Sequence, residues 1–71
     1  MSFEREKIVK IVKRIIEVKL ELWNKGIRTK DTHEKRYLFG KSVGLEKALT
    51  IIDGFLDYDL EIHKLIDNSR K

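Results

Sequence analysis

The sequence predicts a small all-α protein built as an antiparallel helical hairpin, and three observations lead to this prediction. Two long segments repeat apolar residues at three- and four-residue steps, which is the period of a helix buried on one face. A single convincing linker, NKGIRTKDT at 24–32, separates them. The 71 residues include no proline and no cysteine, so nothing interrupts the helices and neither a disulfide nor a thiolate metal site can form. We expect one domain, 1–71.

The first predicted helix covers residues ~3–24. Within it the segment EVKLELW, residues 17–23, alternates apolar and charged residues as a strand would. We prefer a helix because Met1–Trp23 holds no turn residue and a strand of roughly 15–20 residues would be exceptional. The apolar residues cover more than half of the helix circumference, which predicts contact with two or more neighbouring helices. These residues are Ile8, Val9, Ile11, Val12, Ile15, Ile16, Val18, Leu20, Leu22 and Trp23.

The second predicted helix covers residues ~32–57. Gly26 in the linker is expected to end the first helix in the left-handed conformation that glycine favours. Asp31 then serves as the N-cap of the second helix, with Glu34 completing a capping box and Thr32 as the competing cap. One stripe of this helix is apolar and comprises Tyr37, Leu38, Leu45, Ala48, Leu49, Ile52, Phe55 and Leu56.

The apolar pattern moves to another face of the chain after Leu56. Either Asp57 or Asp59 is suited to cap a new helix at this point. Two alternatives therefore stay open, namely one long second helix, or a break near 57–59 followed by a short third helix at ~59–67.

Two glycines, Gly40 and Gly44, lie inside the second predicted helix. Each costs about 1 kcal/mol relative to alanine in a helix interior, so the pair suggests a compensating contact. Together with Ala48 they form a groove of small residues in which another helix can approach closely. A helix break at Gly40 and a ligand site are the alternatives. The residues expected to mediate helix packing and self-association are Ile8, Ile11, Ile15, Gly40, Gly44, Ala48 and Ile52.

Self-association follows from the size of the chain. Domains below about 70–80 residues usually need disulfides, a metal or a partner subunit for stability. The chain lacks cysteine, and its two histidines, His33 and His63, have no metal-ligand spacing. Pairing two hairpins into a four-helix bundle would cover both the wide arc of the first helix and the stripe of the second. We therefore expect a homodimer.

Five residues are candidates for binding a partner. Trp23 ends the first helix, and tryptophan is enriched at interaction hot spots, although the edge of a core is the alternative. Lys41 interrupts the apolar stripe, so it either extends to water or pairs with a carboxylate such as Asp59 or a bound anion. Phe39 lies beside the polar face and Tyr58 at the change of pattern. The candidates are Trp23, Arg28, Phe39, Lys41 and Tyr58.

Motifs for catalysis, cofactors and metals are incomplete. The GKS of residues 40–42 lacks the upstream glycine and the strand of a phosphate-binding loop. Asp59 and His63 are half of a catalytic arrangement, but no nucleophile completes it. The acidic series lacks the spacing and the loop glycine of a calcium-binding EF-hand. It comprises Asp53, Asp57, Asp59 and Glu61. We expect no enzyme activity, no cofactor and no metal.

The distribution of charge supports an alternative function. Residues 1–47 hold 13 Lys/Arg and 7 Asp/Glu, whereas residues 48–71 hold 3 and 5, and the net charge is +4. A basic first helix and linker could contact nucleic-acid phosphates. The segment MSFEREKIVK has no apolar core of a signal peptide, and no apolar run approaches ~20 residues. The sequence thus predicts a cytoplasmic protein that does not associate with membranes.

The string Y-x-x-G-K-x-x-G-L-E-K-A-L at 37–49 resembles short helical proteins of unknown role in Gram-positive bacteria and their phages. The resemblance implies a phage or mobile-element origin and carries over no functional residue. We expect a non-enzymatic module that self-associates and acts as a regulator or inhibitor by binding a partner protein. The alternative is a nucleic-acid-associated accessory protein that uses the basic helix and linker.

Overall fold

The computed structural model contains three α-helices and describes residues 2–56 and 58–70, with side chains from Glu4 onward. Helix α1 covers Ser2–Arg28, α2 covers Thr32–Phe55 and α3 covers Leu60–Asn68. No strand occurs in the described part of the chain. The prediction of an all-α fold with a long helical hairpin is confirmed, and the strand interpretation of residues 17–23 is wrong.

The prediction for the end of α1 is wrong. The helix continues to Arg28, four residues past the expected end at 24, and Gly26 lies inside it. No described glycine has a positive φ, so Gly26 does not act as a left-handed cap. Instead, the backbone N–H of Thr29 and its hydroxyl both donate to the carbonyl of Lys25, at 3.0 and 2.8 Å. These bonds satisfy a carbonyl of the last turn, which a C-terminal cap must do.

Gly26 has a different role, because the aromatic ring of Phe39 packs against it. A Cβ atom at this position would lie 2.7 Å from Cε1 of Phe39. The absence of a side chain therefore lets α2 approach α1 closely near the linker. Close helix approach, which the sequence suggested at Gly40 and Gly44, occurs inside the chain at Gly26.

The two N-caps follow the predicted chemistry. The carboxylate of Asp31 accepts the N–H of Glu34 at 3.0 Å, and that of Asp59 accepts the N–H of Ile62 at 3.2 Å. The second helix ends at Phe55, and the expected end at Asp57 lies outside the described residues. The chain therefore breaks after α2 and forms the short third helix, in preference to one long helix.

Helices α1 and α2 are antiparallel, and Ser42 Oγ donates to the carbonyl of Lys19 at 3.2 Å near their middle. The third helix lies against both on one side of the α1–α2 layer. It runs parallel to α1, because its first residues contact Arg5 and its end contacts Lys19. The core is small and consists of Val12, Leu49, Ile62 and Ile66.

Candidate interaction surfaces

Polar contacts fix α3 to one side of the α1–α2 layer, which we call the covered side. The guanidinium of Arg5 donates to both carboxylate oxygens of Asp59, at 2.7 and 3.0 Å, and to Glu61 at 3.0 Å. The hydrogen bonds from Arg5 lower the pKa of Asp59. The carboxylates of Asp59 and Glu61 in turn raise the pKa of Arg5. Next along the helix, His63 Nδ1 lies 2.8 Å from Asp53 Oδ1.

The end of α3 is fixed by a second polar cluster around Lys19, whose exposed fraction is only 7%. Its ammonium donates to Glu46 at 2.9 Å and to the hydroxyl of Ser69 at 3.2 Å, and Arg70 donates to Glu46 as well. Burial would raise the pKa of Glu46, but the hydrogen bonds from Lys19 and Arg70 outweigh it and lower that pKa. These long-range contacts were missed at the sequence level, because their partners lie 24 to 50 positions apart.

A groove on the covered side continues past the end of α3, and we call it the Trp23 groove. Its volume is about 440 Å³. The ring centroids of Trp23 and Phe39 lie 4.6 Å apart. Phe39 is half-buried, with its ring between Trp23 and Gly26. The groove is lined by Lys19, Leu20, Trp23, Ser42, Val43, Glu46, Ser69 and Arg70.

Among the described residues, no helix lies above the opposite side of the α1–α2 layer, and we call this side the open face. Residues two positions apart on a helix point about 160° apart, so Gly44, Ala48 and Ile51 point away from Glu46 and Asp53, which face α3. The central residues of the open face are Ile8, Ile11, Ile15, Val18 and Leu22 on α1, and Tyr37, Lys41, Gly44, Ala48, Ile51 and Phe55 on α2, and all of these except Lys41 are apolar or glycine. Glu4 and Lys25 continue the same three- and four-residue spacing at the two ends of α1.

Large apolar side chains of the open face are exposed to solvent. Ile11 is 54% exposed, Ile51 60% and Phe55 79%. A groove of about 320 Å³ runs between these residues, and every residue lining it is apolar. Its walls are Ile8, Ile11, Ile51, Ile52, Phe55 and Leu56.

The residues expected to mediate self-association are divided between core and surface. Ile8, Ile15 and Ile52 pack partly against the core. A methyl group added at Gly40 or Gly44 would have no atom within 4 Å beyond its chain neighbours and the nearby backbone of its own helix, so no helix of this chain fills the small-residue groove. Of the seven residues, the structure brings Ile8, Ile11, Ile15, Gly44 and Ala48 onto the open face, with Gly40 at its edge and Ile52 at the bottom of the groove.

The residues expected to bind a partner do not form one site. Lys41 Nζ lies 4.6 Å from the ring centroid of Tyr37 on the open face, a favourable cation–π geometry. Of the alternatives for Lys41, the pairing with Asp59 does not occur, because Asp59 binds Arg5. Tyr58 is exposed between α2 and α3, and Arg28 Nε donates to a carbonyl of its own helix at the linker end.

The long axis of the molecule separates positive from negative charge. The linker end, residues 24–36, carries five Lys/Arg and two Asp/Glu, a balance of +3. The opposite end combines residues 2–7 with residues 53–56 and 58–61, and it carries two Lys/Arg and five Asp/Glu, a balance of −3. The molecule is 45 Å long and 17–18 Å across. Its two ends therefore present opposite charges to a partner.

Comparisons of the chain with protein-family models, with curated proteins and with solved structures find no match. Across residues 2–56 and 58–70, no three His, Asp or Glu side chains come together as a metal site would require. The helices of the same residues are too short or too polar to cross a membrane. The candidate surfaces therefore rest on geometry and charge alone.

Proposed function

We propose that this protein is a non-enzymatic interaction module that self-associates through its open face and acts as a regulator or inhibitor by binding a partner protein. The observation that carries the proposal is the open face itself, an apolar surface along both long helices. Proteins that work as monomers rarely expose contiguous apolar patches above a few hundred Å². A second copy would cover this surface.

The spacing of residues on the open face supports helix-to-helix association. The positions on α1 are 8, 11, 15, 18 and 22, and those on α2 are 37, 41, 44, 48, 51 and 55. Both series alternate steps of three and four, which is the heptad spacing of helices that pack side chains into each other's gaps. Two such hairpins placed face to face form a four-helix bundle.

The surface area of the monomer supports the same conclusion. The chain exposes 5534 Å², whereas a monomer of 8.5 kDa exposes roughly 4,700 Å². The surplus, on the order of 800 Å², is close to the ~800 Å² that each partner buries in a standard stable interface. A dimer through the open face would bring the exposed area into the usual range.

The decisive experiment compares two isoleucines of α1 that differ in the side they occupy. Ile11 on the open face is 54% exposed, and Ile27, on the same stripe as Trp23, is 57% exposed. Light scattering over a dilution series should give about twice 8.5 kDa for the parent chain and for Ile27→Lys, but 8.5 kDa for Ile11→Lys. Circular dichroism should show that both variants remain helical. A parent chain that is monomeric at every concentration would contradict the proposal, as would equal effects of the two substitutions.

We assign the Trp23 groove to the partner protein, because it lies on the covered side and stays accessible when the open face is buried. The groove continues the surface that α3 already occupies with Ile62 and Ile66. An amphipathic helix of the partner, placed in line with α3, is the occupant that this continuity favours. A partner captured by the parent chain should also be captured by Tyr58→Ala and lost with Trp23→Ala. Capture that survives Trp23→Ala would contradict this assignment.

A second candidate function is nucleic-acid binding at the linker end, favoured by the exposed cations of residues 25–36. Affinity for duplex DNA should then fall with a log–log salt slope of about −0.9 per phosphate contacted. The double variant Lys30→Glu, Arg36→Glu should remove binding, whereas Lys47→Glu, Lys64→Glu changes the net charge equally outside the first helix and the linker. Binding that is the same in both double variants would contradict a role for the linker.

A further inference from the structure

We infer that the second copy lies antiparallel on the open face, so that the basic linker end of each protomer contacts the acidic end of its partner. This inference rests on the proposed self-association and adds its direction and contacts. Symmetric dimers have a two-fold axis, and two such axes can bring the open faces together. One runs along the helices and places both linkers at the same end, and the other crosses the helices and places the linkers at opposite ends.

The charges of the two ends distinguish these arrangements. The ends lie up to 45 Å apart, several times the Debye length of about 8 Å at physiological salt, so each end interacts only with what lies next to it. With both linkers at one end, a balance of +3 would meet another +3, and −3 would meet −3. In the antiparallel arrangement +3 meets −3 at both ends, which favours this direction of association.

The order of residues along α2 is also consistent with a two-fold axis that crosses the helices. Tyr37 and Phe55, Lys41 and Ile51, and Gly44 and Ala48 are three pairs placed symmetrically about residue 46. An antiparallel contact between the two α2 helices would therefore join aromatic residues near both ends and the two small residues at the centre. Small residues at the axis allow the helix backbones to approach closely, which gives Gly44 the compensating contact that the chain itself does not provide.

The open-face residues of α1 are also centred on one position, and this position lies level with residue 46 of α2 along the hairpin axis. Ile8 and Leu22 are placed symmetrically about Ile15. Within the hairpin, Ser42 lies level with Lys19, and the helices are antiparallel, so residue 46 lies level with Ile15. A single two-fold axis between these two positions can therefore serve both helices. Lys41 is charged among the central residues of the open face, and a lone lysine in such a seam helps to fix register.

Distance measurements between spin labels test the direction of the dimer. The chain has no native cysteine, so Lys30→Cys at the linker and Lys47→Cys beside the predicted axis can each carry one nitroxide per protomer. Antiparallel association should place the two labels at position 30 about 45 Å apart, the length of the molecule. Labels at position 47 should lie within roughly 20 Å in either dimer, because neighbouring helix axes are 8–10 Å apart.

The outcomes separate this inference from the proposed function. A long distance at position 30 with a short one at position 47 supports the antiparallel dimer. A short distance at both positions would overturn the direction and leave self-association intact. The absence of dipolar coupling at both positions, together with a monomeric mass, would overturn self-association and this inference with it.

Discussion

The two sides of the α1–α2 layer differ in how they are built. The covered side holds a helix of nine residues through ion pairs at each end, Arg5 with Asp59 and Arg70 with Glu46. The open face has no such polar cluster and presents an apolar strip along the whole hairpin. The difference shows that a short helix needs polar contacts to supplement the few side chains it buries. A surface of hairpin length can rely on apolar burial, provided that a partner of similar length covers it.

Truncating one isoleucine on each side of the layer should give the largest difference in the free energy of unfolding. Ile66 of α3 is fully buried against α1 and α2, so Ile66→Ala should lower the free energy of unfolding by about 2–5 kcal/mol. Ile51 is 60% exposed on the open face, and Ile51→Ala should lower it by less than about 1 kcal/mol in the monomer. Urea denaturation in the Ile11→Lys background measures the monomer alone.

The two substitutions should have the opposite order of effect on dimerisation, with Ile51→Ala weakening the dimer more than Ile66→Ala. Sedimentation at several concentrations is expected to show a weaker dimer for Ile51→Ala than for the parent chain. If Ile51→Ala dimerised with unchanged affinity, the open face would not be the interface. If both substitutions lowered the stability of the monomer equally, the distinction between the two sides would be lost.

The polar cluster at the end of α3 should have the next largest effect. Lys19→Met leaves Glu46 and Ser69 without their ammonium donor in a largely buried site, and we expect a loss of about 1–3 kcal/mol in unfolding free energy. Arg14→Met removes an exposed ion pair with Glu17 and should cost less than about 0.5 kcal/mol. If urea denaturation gave the same loss of unfolding free energy for Lys19→Met and Arg14→Met, the buried ion pair of Lys19 would be no more stabilising than the exposed one of Arg14.

Acid should weaken the covered side. The hydrogen bonds from Arg5 lower the pKa of Asp59 in the folded chain, whereas the unfolded value is about 3.9. The contribution of Asp59 is therefore complete above that value and is lost as the pH falls through the lower folded pKa. Asp59→Asn retains a good N-cap and should reduce the decline of Tm between pH 5 and pH 2.

Arg5→Leu provides an independent check, because it removes the same ion pair from the other helix. It should reduce the acid dependence of Tm to a similar extent. Part of the decline should persist in both variants, since the pKa of Glu46 is also lowered by its hydrogen bonds with Lys19 and Arg70. A Tm that falls as steeply in both variants as in the parent chain would argue against the Arg5–Asp59 pair as a source of acid sensitivity.

Local patterns predicted much of the fold. The periods of the two long segments gave both helices, and the Asp residues at 31 and 59 identified the caps, because a cap depends on neighbours within one turn. The wide arc of α1 was also informative, since α1 contacts α2 and α3. Heptad spacing of Ile51 and Phe55 with Tyr37 identifies the open-face strip of α2. The predicted apolar stripe included Tyr37 and Phe55 but not Ile51, and the residues predicted to mediate self-association included none of the three.

Long-range contacts could not be obtained in the same way. The spacing of Gly40 and Gly44 describes one helix and does not specify which side its neighbour approaches, so the close contact was expected there and occurs at Gly26. The ring of Phe39 fills the space above Gly26, and Lys41 stacks on Tyr37. Each of these outcomes depends on the rotation of one helix about its axis relative to another.

The glycines give the smallest effects and the sharpest distinction between the two sides. Alanine at Gly44 or Gly54 meets open space, so each substitution should raise the stability of the monomer by about 0.5–1 kcal/mol. Alanine at Gly26 would place a methyl group 2.7 Å from the ring of Phe39, and the crowding should outweigh that gain.

Dimerisation separates Gly44 from Gly54, because only Gly44 lies on the open face. A methyl group at Gly44 would meet the close approach expected at the two-fold axis, so Gly44→Ala should raise the dimer Kd while still raising the stability of the monomer. Gly54→Ala should leave the Kd unchanged. Opposite effects of one substitution on folding and on association are a specific signature, since a general loss of structure would lower both. Tighter association of Gly44→Ala would show that the backbones do not approach closely at this position.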